Sequence, residues 1–388
     1  MEAATAHRCP WFDVIRGLAS LAVCISHLRN TTLQDSSSAG IAFAPFYFVT
    51  GLGHPAVIVF FVLSGFFVGG SVIRTSKAFS LKNYAVTRVT RLWIVVIPAC
   101  VFTLYCDHIS ARSLPDVFTG RYWSIIHSGP EMHTYSASIR TGILNVLFLQ
   151  TIAAPVFGSN GPMWSLANEF WYYALWPIIW MAIFNKISVV SKKERAALLI
   201  CALLIIWLLP RSFYVGGIIW TLGCVVYILV TQYGIHGMHS WLRWATVVIF
   251  VTALILEKVP SSRYFGPGEA DLVLGLAVGS ILIWLYKHPF PADSIFCRTT
   301  LFLSKISFSL YVVHFPLVML LFSLFYSGQR KTMSLSSISV LTFELCGLIA
   351  CGFVFWWLFE QHTSKMREKV FVLFSAFSQS NNLKRNNL

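Results

Sequence analysis

A succession of long apolar stretches, separated by short polar segments, constrains this 388-residue chain more than any other feature. A helix needs about 20 mostly apolar residues to cross the hydrocarbon layer of a membrane. Because 56% of the residues are hydrophobic and only 11% are charged, little of the chain is left for a soluble domain. We therefore expect an all-α, polytopic membrane protein with about ten transmembrane helices. The apolar stretches lie at about Trp11–Leu28, Gly53–Ile73, Leu92–Tyr105, Trp164–Ile183, Ala196–Leu209, Tyr214–Val230, Trp241–Leu256, Leu272–Tyr286, Ser307–Tyr326 and Ile338–Phe359.

The basic residues predict how these helices are oriented, because Lys and Arg collect on the cytoplasmic side of a membrane. If the N-terminus is cytoplasmic, about two thirds of the 29 Lys and Arg residues fall in cytoplasmic segments. Both termini are therefore expected in the cytoplasm. The net charge of +14 is interpreted as basic loops that face anionic lipid headgroups, not as a nucleic-acid-binding surface.

Two domain units are expected: a transmembrane domain over residues 1–365 and a partly disordered cytoplasmic tail over residues 366–388. A long outer loop, at about residues 107–162, contains an apolar segment at 143–157 that Gln150 and Pro155 interrupt. Counting this segment as a span would move a cluster of basic residues to the outer side. We therefore predict a re-entrant or interfacial segment there.

The first apolar stretch contains ionisable residues, which are costly inside a membrane and so suggest function. Arg16 and His27 are eleven residues apart, which puts them on one helix face about 16 Å apart along the axis. Asp13 lies one turn before Arg16 and is placed to pair with it. Arg holds phosphate well, whereas neutral His takes a proton from a hydroxyl near neutral pH. This spacing indicates a phosphate clamp and a base at two depths; an interfacial Asp–Arg pair with a helix-end His is the alternative.

A second cationic element, Arg88 and Arg91, lies just before the third apolar stretch on the expected cytoplasmic side. Its i, i+3 spacing suits the binding of phosphate groups. Anchoring of the helix at the membrane surface is the alternative interpretation.

Neither the cysteines nor the histidines of the loops indicate a metal. The nine cysteines show no CxxC spacing and lie mostly in apolar stretches, which favours a packing role. His127, Glu131 and His133 have a spacing that suits a metal but lack the remaining ligand pattern of a catalytic zinc site. We expect no metal and no bound cofactor.

Five short motifs, in order along nearly the whole chain, resemble those of the acyltransferase-3 family of integral membrane acyltransferases. The first has an Arg, ten intervening residues and then a His. The motifs are Asp13–Ala19 with His27, Phe60–Phe66, Arg88 with Arg91, Trp164–Glu169 followed by Tyr173 and Trp176–Pro177, and Ser307–Pro316.

The resemblance implies acyl-CoA as a cytoplasmic co-substrate and a hydroxyl of a glycan or lipid-linked sugar as the acceptor at the outer face. His27 and Glu169 are the implied catalytic residues, and Arg16, Arg88 and Arg91 are the implied acyl-CoA-binding residues. His27 would deprotonate the acceptor hydroxyl or form a transient acyl-histidine. Glu169 would lie near the outer face and either orient His27 or bind the acceptor; an interfacial acid is the alternative.

This sequence departs from the family pattern at two points. Phe170 stands where a second acid usually follows Glu169, and Glu360 is followed by Gln361 instead of the usual Lys, which leaves a role for Glu360 open.

Further candidates for the cavity or the acceptor site come from the same motifs, and each has a structural alternative. A small-residue packing step explains Ser64, a satisfied core histidine explains His314, and an interfacial aromatic belt explains the tryptophans and tyrosines. The candidates are Asp13, Ser64, Trp164, Ser165, Tyr173 and His314.

Together with the multi-pass pattern, the resemblance implies an O-acyltransferase of the bacterial inner membrane that moves an acyl group, expected from the family to be acetyl, to a surface polysaccharide such as O-antigen. Its expected partners are acyl-CoA, the glycan acceptor and membrane lipids; no oligomeric state is predicted. A transporter or flippase for a lipid-linked sugar is the second hypothesis, since a charged intramembrane cavity also serves transport. A non-catalytic subunit of a glycan assembly complex is the third.

Overall fold

The computed structural model describes residues 9–184, 191–256 and 268–373, and every regular element in these ranges is a helix. The all-helical class predicted from the apolar stretches is therefore confirmed. The α-helices are α1 (Pro10–Thr32), α2 (Ala44–Thr50), α3 (Gly53–Ser64), α4 (Gly70–Arg74), α5 (Leu81–Ser113), α6 (Ile139–Val146), α7 (Trp164–Ile183), α8 (Lys192–Leu208), α9 (Arg211–Thr231), α10 (Ser240–Leu256), α11 (Glu269–Leu285), α12 (Ile295–Leu321) and α13 (Leu335–Leu358).

Six helical stretches among the described residues are long and apolar enough to cross a membrane. Two more apolar helices are shorter, at Ser240–Leu256 and Ala270–Leu285. The molecule is therefore a multi-pass membrane protein, while the count of ten spans and the cytoplasmic position of the termini stay predictions. The six stretches are Pro10–Thr32, Ile41–Arg74, Leu81–Ser113, Phe213–Thr231, Ile295–Tyr326 and Leu335–Leu373.

Helix α5 is longer than its apolar stretch predicted. It begins after Ser80, whose hydroxyl accepts a hydrogen bond from the backbone of Asn83, and it runs for 33 residues. At 1.5 Å per residue this is about 50 Å, well beyond the roughly 30 Å of a hydrocarbon core. Arg88 and Arg91 therefore lie inside a helix and not before it. At the other end, residues 107–113 belong to α5, so the first residues of the predicted outer loop are helical, and the position of that loop relative to the membrane stays a prediction.

Helix α1 lies at the centre of the bundle, where it packs against α12, α3 and α13. Gly17 allows this, because a Cβ atom at Gly17 would overlap the backbone carbonyl of Thr300 in α12. Small residues allow helix backbones to approach closely inside membranes. Glycines also allow α3 and α9 to approach closely. Gly65, directly after α3, lies against the carbonyl of Trp220, and Gly223 lies against the carbonyl of Val62.

A five-residue π-helical turn, Gly65–Gly69, joins α3 to α4 into one continuous helix. Such turns insert an extra residue into a helix and often occur at functional sites. Here the turn lies next to the cavity described below, which Phe67 and Val68 help to line.

The loop between α5 and α7 is fastened to the end of α5 by Asp107. Its carboxylate accepts hydrogen bonds from the backbone N–H of Ser159 at 2.9 Å, from Ser159 Oγ at 2.5 Å and from Tyr135 OH at 3.2 Å. Gly158, with a φ of +59°, lies directly against this carboxylate. Asp107 thus determines where the chain turns into α7.

The apolar segment 143–157 does not form a helix long enough to span. Only the eight-residue α6 enters it, and irregular backbone follows. Gln150 Nε2 donates to the carbonyl of Met163, and Trp171 Nε1 donates to the carbonyl of Phe148. The segment is therefore tied to the beginning of α7, and its depth in the membrane stays a prediction.

At the C-terminal end, helical backbone continues beyond α13 to Leu373. The first residues of the tail predicted over 366–388 are thus helical. The disorder expected at Ser378–Leu388 lies outside the described residues.

Candidate active site

A cavity of about 390 Å³ opens between α1, α3, α5, α7 and α12. Its walls combine aromatic side chains with three arginines and two carboxylates, so it is neither a lipid groove nor an ordinary packing defect. The lining residues are Asp13, Arg16, Val57, Phe60, Phe61, Leu63, Ser64, Phe67, Val68, Arg88, Arg91, Leu92, Ser165, Leu166, Glu169, Tyr173, Ser307, Phe308 and Tyr311.

Arg16 enters the cavity from α1. Its Nη1 lies 3.2 Å from Asp13 Oδ1, which confirms the pairing that the i, i+3 spacing predicted, and its guanidinium lies over the ring of Phe67 at 4.8 Å from the centroid. Asp13 also accepts a hydrogen bond from Ser304 Oγ in α12. A guanidinium that is paired and stacked in this way has a defined position inside an apolar bundle.

The two arginines of α5 differ in how they are held. The half-buried Arg88 donates from Nη2 to Ser71 Oγ at 2.9 Å, and its guanidinium lies over the ring of Tyr84. Arg91 is exposed and forms no direct hydrogen bond or ion pair with the part of the chain that the structure describes. The carboxylates of Glu169 and Glu360 act on it only at longer range. Within the described part of the chain, Arg91 is thus the lining arginine without a direct hydrogen bond or ion pair.

Glu169 lies on α7 and lines the cavity together with Ser64 and Tyr173, whose hydroxyl groups act on its carboxylate. Ser64 Oγ lies 3.0 Å from Tyr173 OH and accepts a hydrogen bond from Trp220 Nε1 at 3.1 Å. Because Trp220 occupies an acceptor position of Ser64, the hydroxyl proton of Ser64 is left to Glu169 or Tyr173. Ser64 is therefore part of a polar network and not merely a small residue at a helix crossing.

On the α12 side, Tyr311 and Ser165 close the cavity. Their hydroxyl oxygens are 2.6 Å apart, and Tyr311 OH also lies 2.9 Å from the carbonyl of Pro162, to which it donates. These two contacts fix the position of the Tyr311 ring at the wall of the cavity.

His27 lies beyond this wall. Its ring centroid is 5.3 Å from that of His314 and 5.0 Å from that of Phe315, on α12. His314 is fully buried, and its Nδ1 lies 2.6 Å from the backbone carbonyl of Tyr311. Tyr311 thus lines the cavity and, through its backbone carbonyl, also binds His314, the histidine next to His27.

The structure brings most of the candidates together in this one cavity. The three arginines, Glu169, Asp13, Ser64, Ser165 and Tyr173 all line it. His27, His314 and Trp164 are not among the lining residues; Trp164 instead packs edge-on against Phe61. Among the described residues Glu169 does not contact His27, so the orienting contact that we considered between them is absent.

Two functional candidates were not recognised from the sequence. Tyr311 was predicted only as a member of the motif Ser307–Pro316, although the structure shows that it lines the cavity. Glu360 was left without a role, yet its Oε2 accepts hydrogen bonds from the backbone and hydroxyl of Ser309, and its charge acts on Arg16 and Arg91. Its position directly after the last apolar stretch was the available signal.

Comparison with known proteins gives one match. The family model for an acyltransferase domain, acyltransferase-3, matches residues 10–359, nearly the whole chain. The chain belongs to the acyltransferase-3 family. No curated protein and no solved structure matches it. Membership in the acyltransferase-3 family supports membrane acyltransferase activity, and the matched residues include every helix that contributes to the cavity.

Within this acyltransferase, the arrangement of groups is chemically asymmetric. Arginines and carboxylates from α1, α5 and α7 line the cavity, whereas His27 lies about three helical turns beyond Arg16 along α1, next to His314 of α12.

Proposed function

We propose that this acyltransferase, in the inner membrane of a bacterium, moves an acetyl group from cytoplasmic acetyl-CoA to a hydroxyl of a surface polysaccharide or lipid-linked sugar such as O-antigen. The cavity carries the proposal. It combines three arginines with a polar wall that leads, through Tyr311 and His314, to His27.

The three arginines of the cavity support acyl-CoA as the donor. Acyl-CoA bears several phosphate groups at one end and its thioester at the other. Arginine binds phosphate by charge-assisted hydrogen bonds, and Arg91 has no competing direct partner among the described residues. With the phosphates at the arginines, the extended arm of the donor points along α1 towards His27, about 16 Å away.

In the transfer step, His27 acts as the base. Its ring accepts the proton of the acceptor hydroxyl while the oxygen attacks the thioester carbonyl carbon. The C–S bond then breaks, and the CoA thiolate leaves and takes the proton from His27. An acyl-histidine, in which His27 itself attacks the thioester, uses the same residues and gives the same products.

Acyl transfer is tested by mass spectrometry of surface polysaccharide from cells that express the wild type, His27→Ala or an empty vector, at matched protein levels in the membrane. We expect sugars that are heavier by one acetyl group with the wild type only. His239→Ala, a change at an exposed loop residue, is the matched control and should retain the modification.

Other outcomes decide between the alternatives. Unmodified glycan of altered abundance would favour transport, and a mass increase other than acetyl would replace the acyl group that we propose. Modification that persists in His27→Ala would exclude His27 as the base. Purified protein incubated with radiolabelled acetyl-CoA, then quenched, distinguishes a labelled enzyme intermediate from direct transfer.

A further inference from the structure

The hydrogen bonding of His314 is unusual for a buried histidine. Its Nδ1 lies 2.6 Å from the carbonyl oxygen of Tyr311, and because a carbonyl only accepts, Nδ1 carries the proton. The neutral ring then has its lone pair on Nε2. That atom is buried and has no hydrogen-bond partner among the described residues. Buried polar atoms are nearly always paired, so an unpaired one calls for a bound group or a functional reason.

Of the aromatic rings around His314 in the described residues, the ring of His27 has the nearest centroid. The two ring centroids are 5.3 Å apart, with an angle of 33° between the ring planes. An imidazole–imidazole hydrogen bond of about 2.9 Å between nitrogens places the centroids about 5 Å apart. The separation therefore permits such a bond after a small rotation of His27, which is half-buried and whose ring forms no other hydrogen bond with the described residues.

Among the described residues, the aromatic side chains that contact the pair supply no competing acceptor. Phe315 is edge-on to His27 at 5.0 Å, and the ring of Tyr311 lies 5.6 Å from that of His314. The hydroxyl of Tyr311 is occupied at Ser165 and Pro162. Nε2 of His314 is thus the acceptor that the packing leaves for His27.

We propose that His314 is a positioning residue for His27: its Nε2 accepts a hydrogen bond from one ring nitrogen of His27 and leaves the other nitrogen of His27 unprotonated towards the acceptor hydroxyl. This rests on the proposed function. When His27 takes the hydroxyl proton, it becomes an imidazolium with two N–H groups, one of which donates to His314. The proton stays on His27 until the CoA thiolate takes it, and His314 keeps its own proton on Nδ1.

The arrangement does with a neutral ring what a carboxylate does in a serine hydrolase triad, where the third residue fixes the tautomer of the base. It also connects the cavity with the base. Tyr311 lines the cavity, and its backbone carbonyl binds Nδ1 of His314. The position of Tyr311 therefore determines the orientation of the His314 ring.

The experiment compares acyl transfer by purified wild type, His314→Phe, His314→Gln and His27→Ala, with kcat and KM for acetyl-CoA measured separately. His314→Phe keeps the ring shape and removes the acceptor, so kcat should fall about 10- to 100-fold, the usual effect of losing an orienting partner. The KM for acetyl-CoA should stay within about twofold, because the arginines are untouched. In His314→Gln the amide oxygen can accept in place of Nε2 and should restore a clear part of kcat.

Two further measurements separate positioning from structural support. The double variant His27→Ala/His314→Phe should be no slower than His27→Ala alone, since residues that act as a unit are not additive. In ¹⁵N-histidine NMR of the wild type, the His314 signal should show a protonated Nδ1 and an unprotonated Nε2. His239→Gln, at an exposed loop position, is the control and should match the wild type in both assays.

Wild-type kcat in His314→Phe would overturn the inference, and so would equal losses in the Phe and Gln variants or a protonated Nε2. If His314→Phe does not reach the membrane, the Gln variant and the NMR spectrum decide. Absence of transfer by the wild type itself refutes the proposed function, and this inference falls with it; an inactive His27→Ala beside a fully active His314→Phe refutes this inference alone.

Discussion

Replacing Arg91 with alanine should weaken donor binding without impairing the chemical step. Arg91 is exposed, lines the cavity and has no direct hydrogen bond or ion pair with the described residues, so its removal leaves no buried partner of that kind unpaired among them. Arg88 differs, because its guanidinium binds Ser71 and stacks on Tyr84. Arg91 therefore isolates ligand binding from folding, which Arg88 does not.

The magnitude follows from the contact that would be lost. A hydrogen bond to a charged group contributes about 1.5–3 kcal/mol, which corresponds to a factor of roughly 10 to 150 in binding. Because Arg91 is exposed, water and salt screen its charge, and the lower end applies. We expect the KM for acetyl-CoA to rise about tenfold, with kcat within about twofold of the wild type.

The assay is initial-rate acyl transfer by purified protein across a range of acetyl-CoA concentrations, at low and high salt. Arg91→Lys should recover much of the binding, because it keeps the charge. Arg112→Ala is the matched control, an exposed arginine at the other end of the same helix. An unchanged KM in Arg91→Ala, or an equal rise in Arg112→Ala, would refute a phosphate-binding role for the cavity.

Three further changes test the cavity and its support. Glu169→Gln should lower kcat at least tenfold with a near-normal KM for acetyl-CoA, because it removes the charge beside the Ser64 and Tyr173 hydroxyls; wild-type rates would show that the carboxylate is dispensable. Gly65→Val should lower the yield of folded protein in detergent, since its side chain would overlap α9, and normal thermal stability would contradict that crossing. Asp107→Ala should destabilise the protein by about 2–4 kcal/mol, seen as a lower melting temperature, because it leaves the buried groups of Ser159 unpaired; an unchanged melting temperature would disprove the anchoring role.

Much of the fold was predictable because lipid restricts the chain so severely. Each apolar stretch overlaps a helix, since a backbone inside hydrocarbon must satisfy its own hydrogen bonds. The Asp13–Arg16 pair followed from helical periodicity alone, because both residues belong to one helix. The length of α5 was not predictable from hydropathy, because its polar ends are stabilised by a cap and by Asp107.

The buried Glu344 is another example of a contact that the sequence alone could not predict. Glu344, inside α13, had no partner that the sequence could name. In the structure its carboxylate accepts hydrogen bonds from Tyr326 OH at 2.6 Å and from Thr32 Oγ1 at 3.0 Å, which ties α13 to α1 and to the π-helical turn Phe322–Tyr326 that follows α12. Thr32 is more than 300 positions away along the chain. No local pattern records such a contact.

The sequence by itself thus determined that the chain is a helical membrane protein and which of its residues are chemically expensive to bury. Only the tertiary structure decided that Glu169 lies with the arginines and not with His27, and that His27 lies beside His314. The physical reason is that hydropathy and helical periodicity act within one helix, whereas the side chains that meet in a cavity come from several helices. Their proximity depends on how closely those helices pack, as Gly17 and Gly65 allow.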